Sequence, residues 1–201
     1  MKKLLIYLAA TAAVCSAQAQ SSGDFTGFSA GANMAMNAAN ISAPINTVTF
    51  DALGQQSIGV GGFAAYGLSI GSASVLSLGF DYSFSDIKAG EIKVANSSAS
   101  LKIQNAWSFS IAPGAMLTDK TLAYFKLGFE NGKAVGSSTT EVSKNITGSS
   151  WGVGMKTLFN KNNFLQVEVK QTTFGAARFD GDIADFTARG TTGSVGLGFM
   201  F

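Results

Sequence analysis

The sequence predicts an all-β fold: an eight-stranded antiparallel transmembrane barrel of up-and-down connectivity, preceded by a cleavable signal peptide. Three observations predict it. The first is a period-two alternation of large apolar with small or polar residues, clearest in the last ten residues, Thr192 to Phe201. There Val195, Leu197, Phe199 and Phe201 alternate with Ser194, Gly196, Gly198 and Met200. Successive side chains of a strand point to opposite faces, so the segment has one apolar face and one small face. The second is the order of the connections, which run long, short, long, short, long, short, long. The third is composition. Hydrophobic residues make up 46% of the chain, with 24 glycines, 16 phenylalanines and 2 prolines, yet beyond the leader no apolar run reaches the ~20 residues of a membrane helix.

The chain opens on a leader. Lys2 and Lys3 form a basic start and Leu4 to Val14 an apolar run too short to span a bilayer. Ala17-Gln18-Ala19 is a small-x-small cleavage site, so residues 1–19 are read as signal peptide and 20–201 as one barrel domain; cleavage after Ala17 is the alternative. Cys15, the one cysteine, falls in the leader behind Val14, which argues against lipidation and leaves the mature chain without a thiol.

Strands are expected in order as follows. About Phe25–Asn37 carries Phe28, Ala30, Ala32, Met34 and Met36 on one face, and Ala38–Gln55 reads as a long loop. Gln56–Ile70 sets Ile58, Val60, Ala64, Tyr66, Leu68 and Ile70 against Ser57, Gly59, Gly61, Gly67 and Ser69. After the tight turn Gly71-Ser72-Ala73, Ser74–Phe84 sets Leu76, Leu78, Phe80, Tyr82 and Phe84 against Ser77, Gly79, Asp81 and Ser83. Ser85–Ser98 reads as a polar loop, and Ala99–Pro113 as a strand with Leu101, Ile103, Trp107, Phe109 and Ile111 on one side. Gly114–Thr121 is a short connection. Leu122–Asn131 puts Ala123, Phe125, Leu127 and Phe129 opposite Tyr124, Lys126, Gly128 and Glu130, with a long loop from Gly132 to Gly148. Ser149–Phe159 and Phe164–Thr172 flank the turn Asn160–Asn163, and a loop Thr173–Gly190 leads to the closing strand.

In lipid every backbone N–H and C=O must pair, so the first and eighth strands must pair with each other and close the sheet. The apolar faces then go outward and the remaining faces, rich in Ser and Gly with a few charges, line the lumen. Aromatics fall near strand ends: Tyr82, Phe84, Phe129 and Trp151 towards one rim, Phe28, Tyr66, Phe125, Phe159 and Phe201 towards the other. Loops sorted by length place both termini on the periplasmic side of a bacterial outer membrane.

On these strands, the loop order and the terminal Val195-x-Leu197-x-Phe199-x-Phe201, the mature chain resembles the small eight-stranded outer-membrane barrels of the OmpA/OmpX/opacity-protein type. The resemblance implies that Val195, Leu197, Phe199 and Phe201 are read as an assembly signal by the barrel-assembly machinery, with periplasmic chaperones as partners during biogenesis. It implies outer-membrane lipid and lipopolysaccharide around the wall. Family members serve as adhesins, serum-resistance proteins or structural proteins, so host or surface ligands are expected at the four loops. The peptidoglycan-binding domain of some relatives is not expected.

The chemistry-bearing residues are few. There is no histidine, which excludes a Ser-His-Asp triad, a His-based metal site and the His-dependent enzymes built on similar barrels. Without Lys2 and Lys3, 12 basic residues face 12 acidic ones, and nothing suggests a nucleic-acid partner. No cofactor is expected. Asp81, Lys126, Glu130, Lys156, Glu168 and Lys170 fall on inward faces and read as an ion-pair network plugging a lumen too narrow for more than side chains. The Asp180-Gly181-Asp182 stretch with Asp185 lacks calcium-loop spacing, and Gly59-Val60-Gly61-Gly62 precedes no helix and so is no nucleotide fingerprint. The expected function is a non-enzymatic structural or surface-interaction barrel; the alternative is a narrow pore for small solutes.

Overall fold

The computed structural model describes residues 22–45, 48–51, 55–94, 97–137, 141–175 and 187–201. The leader and residues 176–186, with Asp180, Asp182 and Asp185, lie outside them. Among the described residues a 3-10 turn, Ser22–Phe25, precedes ten strands: β1 (Gly27–Ile45), β2 (Val48–Asp51), β3 (Gln55–Gly71), β4 (Ser74–Ser83), β5 (Ile87–Val94), β6 (Ser97–Thr118), β7 (Thr121–Ser137), β8 (Glu141–Leu158), β9 (Asn163–Phe174) and β10 (Thr187–Met200).

Eight of these make the barrel wall, in the order β1-β3-β4-β6-β7-β8-β9-β10, all neighbours antiparallel. Closure is the expected one. β10 pairs with β1 from Ser29↔Met200 to Ser42↔Thr187, and Phe201 N–H donates to the Phe28 carbonyl at 2.9 Å. The wall has no open edge, as a sheet immersed in lipid requires. β2 pairs with the far end of β1, and β5 with the far end of β6. Each is a detached continuation of its sequence neighbour, β3 or β4, so the ten segments trace eight strands.

The faces alternate as the sequence demands. On β9 Leu165, Val167 and Val169 point outward while Gln166, Glu168 and Thr172 are buried inside. On the closing strand Val195, Leu197, Phe199 and Phe201 all face out, and Phe201 is 73% exposed.

Three of the expected long loops are β-structure. β1 runs eight residues past Asn37 to Ile45, β5 and the start of β6 occupy the segment read as Ser85–Ser98, and β7 and β8 fill most of Gly132–Gly148. Seventeen or more residues in β1, β3, β6, β7 and β8 exceed the ~9–11 that a crossing strand needs. The loop reading rested on the loss of large apolar residues. That loss marks where a strand leaves lipid, but the backbone ladder continues there. The fourth strand likewise continues beyond Pro113 to Thr118, because Pro113 lacks only its own N–H and still stands opposite Leu76 of β4.

The opposite end carries short turns. Asp119 and Lys120 link β6 to β7, and the Lys120 N–H is received by Thr118 Oγ1 at 3.3 Å. Between β8 and β9, Asn160 Oδ1 accepts from the N–H groups of Asn162 and Asn163 at 3.0 and 2.7 Å. Asn162 in turn donates from Nδ2 to the Met200 carbonyl at 2.8 Å, tying this turn to the end of the closing strand.

Candidate functional site

The lumen is built in three layers. Nearest the short turns is an apolar plug of Phe25, Phe63, Val75, Met116, Leu122 and Phe164 with Leu158 and Met200. The inward faces, expected to be rich in Ser and Gly with a few charges, thus also carry a cluster of large apolar residues. The signal was present in the sequence as large apolar residues at inward positions, Phe63, Leu122, Leu158 and Phe164. Small residues opposite make the plug possible: a Cβ at Gly198 would run into the Phe164 ring.

The middle layer is the charge belt. Lys126 on β7 reaches two carboxylates, Asp81 Oδ2 of β4 at 2.9 Å and Glu168 of β9, whose Oε2 and Oε1 lie at 3.1 and 3.2 Å. Ser108 Oγ donates to Asp81 at 3.2 Å and Tyr124 OH donates to Glu168 at 2.8 Å. Tyr124 spans from β7 to β9 over β8, where its register partner is Gly154, itself opposite Glu168. A Cβ at Gly154 would collide with the Tyr124 hydroxyl, so glycine there is what lets the two side chains meet. Lys170 pairs with Glu130 at 2.9 Å.

Five of the six expected lumen charges thus form two ion-paired groups. Lys156 does not join them. It is 8% exposed and makes no ion pair among the described residues; its ammonium stands 5.2 Å from the Phe164 ring centroid and 5.9 Å from that of Tyr124. Sequence reasoning placed Lys156 on the correct face, but its isolation depends on the lengths and directions of side chains from other strands.

The third layer is a second apolar cluster at the hairpin end: Ile103, Ala134, Ile146, Phe174 and Ala188, with Ile87, Leu101 and Ala106 against it. It overturns the placing of Leu101 and Ile103 on the same side as Trp107. Between Gln104 and Trp107, β6 has one residue more than β7. Asn105 takes φ +50° at this bulge, and its carbonyl oxygen Oδ1 accepts from Tyr82 OH at 3.3 Å. One extra residue reverses the face of everything beyond it. Leu101 and Ile103 therefore turn inward, while Trp107, Phe109 and Ile111 remain outside.

Two cavities flank the Asp81–Lys126–Glu168 group. The larger, of about 110 Å³, lies towards the hairpin end beneath Ile103 and Phe174. The smaller, of about 30 Å³, lies towards the apolar plug and is lined by Phe63, Ser110, Tyr124, Lys156 and Gln166 among others. Outside the wall, Phe80, Trp107, Phe109 and Phe129 form a contiguous aromatic patch with centroid separations of 5.1–6.4 Å. At the short-turn rim Phe201 packs 5.3 Å from Phe28 and 5.1 Å from Phe199. Above the wall Asp86 receives Gln104 Nε2 and Lys102 Nζ, both at 3.1 Å. The Gln104 hydrogen bond, and then Lys102, hold the Asp86 carboxyl below its ordinary range.

This architecture coincides with a sequence match. The profile of the outer membrane protein beta-barrel domain covers residues 7–201. The chain belongs to this family. Its members supply a bacterial outer-membrane setting for a closed wall with an apolar exterior. Among solved structures, this outer-membrane barrel is similar to Neisserial surface protein A, NspA, with 15% identity and a TM-score of 0.54 over 88% of this chain and 98% of that one. It is similar also to Ail, the attachment invasion locus protein of Yersinia pestis, with 14% identity and a TM-score of 0.51 over 88% and 100% of the respective chains. Likeness at this level of identity is a likeness of fold. A comparison with curated protein sequences returns no match.

Proposed function

We propose that this outer-membrane barrel is a non-enzymatic surface-interaction protein, with both termini periplasmic and its hairpins outside the cell. One observation carries the reading: the hairpins continue the paired wall past the ~9–11 residues a crossing strand needs and enclose the Ile103–Ile146–Phe174 cluster. A paired, cored projection presents its surface in one arrangement. A solvated loop would first have to be ordered, at a cost of ~1–2 kcal/mol per residue in backbone entropy. The Yersinia pestis Ail barrel has been solved in complex with the heparin analogue sucrose octasulfate, which supports ligand binding by a barrel of this fold.

Lipid and lipopolysaccharide cover the outward aromatic wall in this reading. The barrel-assembly machinery reads Val195, Leu197, Phe199 and Phe201, and periplasmic chaperones deliver the chain to it. The lumen passes no solute, because an apolar layer stands on each side of the charge belt.

The test shortens the β5–β6 and β7–β8 hairpins to the membrane-spanning wall and displays both forms on bacteria. Heat-modifiable gel migration checks that the trimmed barrel still folds. Binding to immobilised heparin and to cultured epithelial cells is then compared. Loss of binding in a folded, trimmed barrel is the expected result; equal binding by both forms rejects the surface-interaction reading.

A further inference from the structure

We propose that the small inner cavity is a built water site, and that Lys156 balances the charge of the Asp81–Lys126–Glu168 group through the water it holds. In that group two carboxylates share one ammonium, which leaves one negative charge inside the barrel. Glu130 and Lys170 neutralise each other. Lys156, which lines the same cavity as Asp81, Lys126 and Glu168, is the one remaining belt charge and has the opposite sign.

An isolated buried ammonium is costly unless its N–H groups are satisfied. The two rings near Lys156 attract a cation but accept no conventional hydrogen bond from three N–H groups. Gln166 stands opposite Lys156 in the β8–β9 register. Its Oε1 is buried without a hydrogen-bond partner, and both residues line the cavity. An orphan acceptor and an orphan triple donor therefore line one cavity from neighbouring strands.

The volume fits the assignment. A cavity of about 30 Å³ exceeds the ~10–15 Å³ needed for one water when counted as probe-occupied volume. One or two waters, each with two to four polar partners, can receive from Lys156 Nζ and donate to Gln166 Oε1, with the Ser110 hydroxyl and the Glu168 carboxylate on the same cavity wall. A small anion has the same size, but Asp81 and Glu168 line this cavity too and would repel it. Water satisfies the donor and the acceptor and leaves the belt neutral.

Two experiments on the full barrel test this. A crystal structure at a resolution that shows ordered solvent is expected to place water within hydrogen-bond distance of both Lys156 Nζ and Gln166 Oε1. Crystals soaked in bromide are expected to show no anomalous peak there. An empty cavity, or a bromide peak, overturns the assignment. In lipid vesicles, Lys156→Met and Glu168→Gln are each expected to lower the urea unfolding midpoint, since each leaves one unbalanced charge. The double variant, neutral again, is expected to recover a large part of the loss. Strictly additive losses overturn the charge coupling even where water is seen.

Discussion

At the scale of single residues, the belt turns on Lys126. It is buried, and it is the shared partner of Asp81 and Glu168. Replacing such a pair by apolar groups can be neutral, but removing one partner leaves the other buried and uncompensated. Lys126→Met strands two carboxylates at once, so a loss of about 3–5 kcal/mol is expected, read by urea unfolding in vesicles with Trp107 and Trp151 as fluorophores. An unchanged midpoint would mean that the belt contributes no net stability. Phe201 is the contrasting residue, because it lies outside the wall against Phe28 and Phe199. Phe201→Ala is expected to refold normally in detergent while its amount in outer-membrane fractions falls; equal amounts in cells would remove the assembly role from this side chain.

At the scale of elements, the β6 bulge decides what the hairpin end is made of. A left-handed backbone costs roughly 1–2 kcal/mol for a residue with a full side chain, and asparagine tolerates it better than most. Asn105→Val is therefore expected to destabilise by about 1–2 kcal/mol and to lose the Tyr82 hydrogen bond. Deleting Asn105 is the sharper experiment. It removes the odd residue, turns Leu101 and Ile103 to the outer face and takes them from the upper cluster. Hydrogen exchange is expected to show the β5–β6 hairpin losing protection while the rest of β6, from Trp107 to Thr118, keeps its own. Uniform protection in the deletion variant would show that the bulge does not set the face.

At the scale of the whole molecule, the wall closes because β10 finds β1, which satisfies the last backbone groups in lipid. Within the wall, apolar side chains pack on both sides of the belt among the described residues, and the cavities beside it measure about 110 and 30 Å³. An eight-stranded wall has an interior of about the width that side chains fill. Purified protein in planar bilayers is expected to give no sustained single-channel conductance, and steady openings at neutral pH would restore the pore reading.

The sequence by itself determined the wall. Alternation along Ser74–Ser83 or Asn163–Phe174 is local, and a bilayer admits one arrangement of such strands, so strand number, closure and, except before the β6 bulge, outward faces were legible. Inward charges were legible for the same reason, since a charge on a lipid-facing position is excluded. Only the tertiary structure decided the rest. The hairpins were hidden because strands in water need no large apolar residues to keep their ladder. The upper cluster was hidden because one bulged residue, Asn105, reverses the alternation from which faces are read. That Lys126 takes Asp81 and Glu168 while Lys156 takes neither rests on register between strands distant in sequence. Gly154 shows the physical reason: its missing side chain matters because Tyr124 and Glu168 flank it, and strand pairing, not sequence proximity, brings those three together.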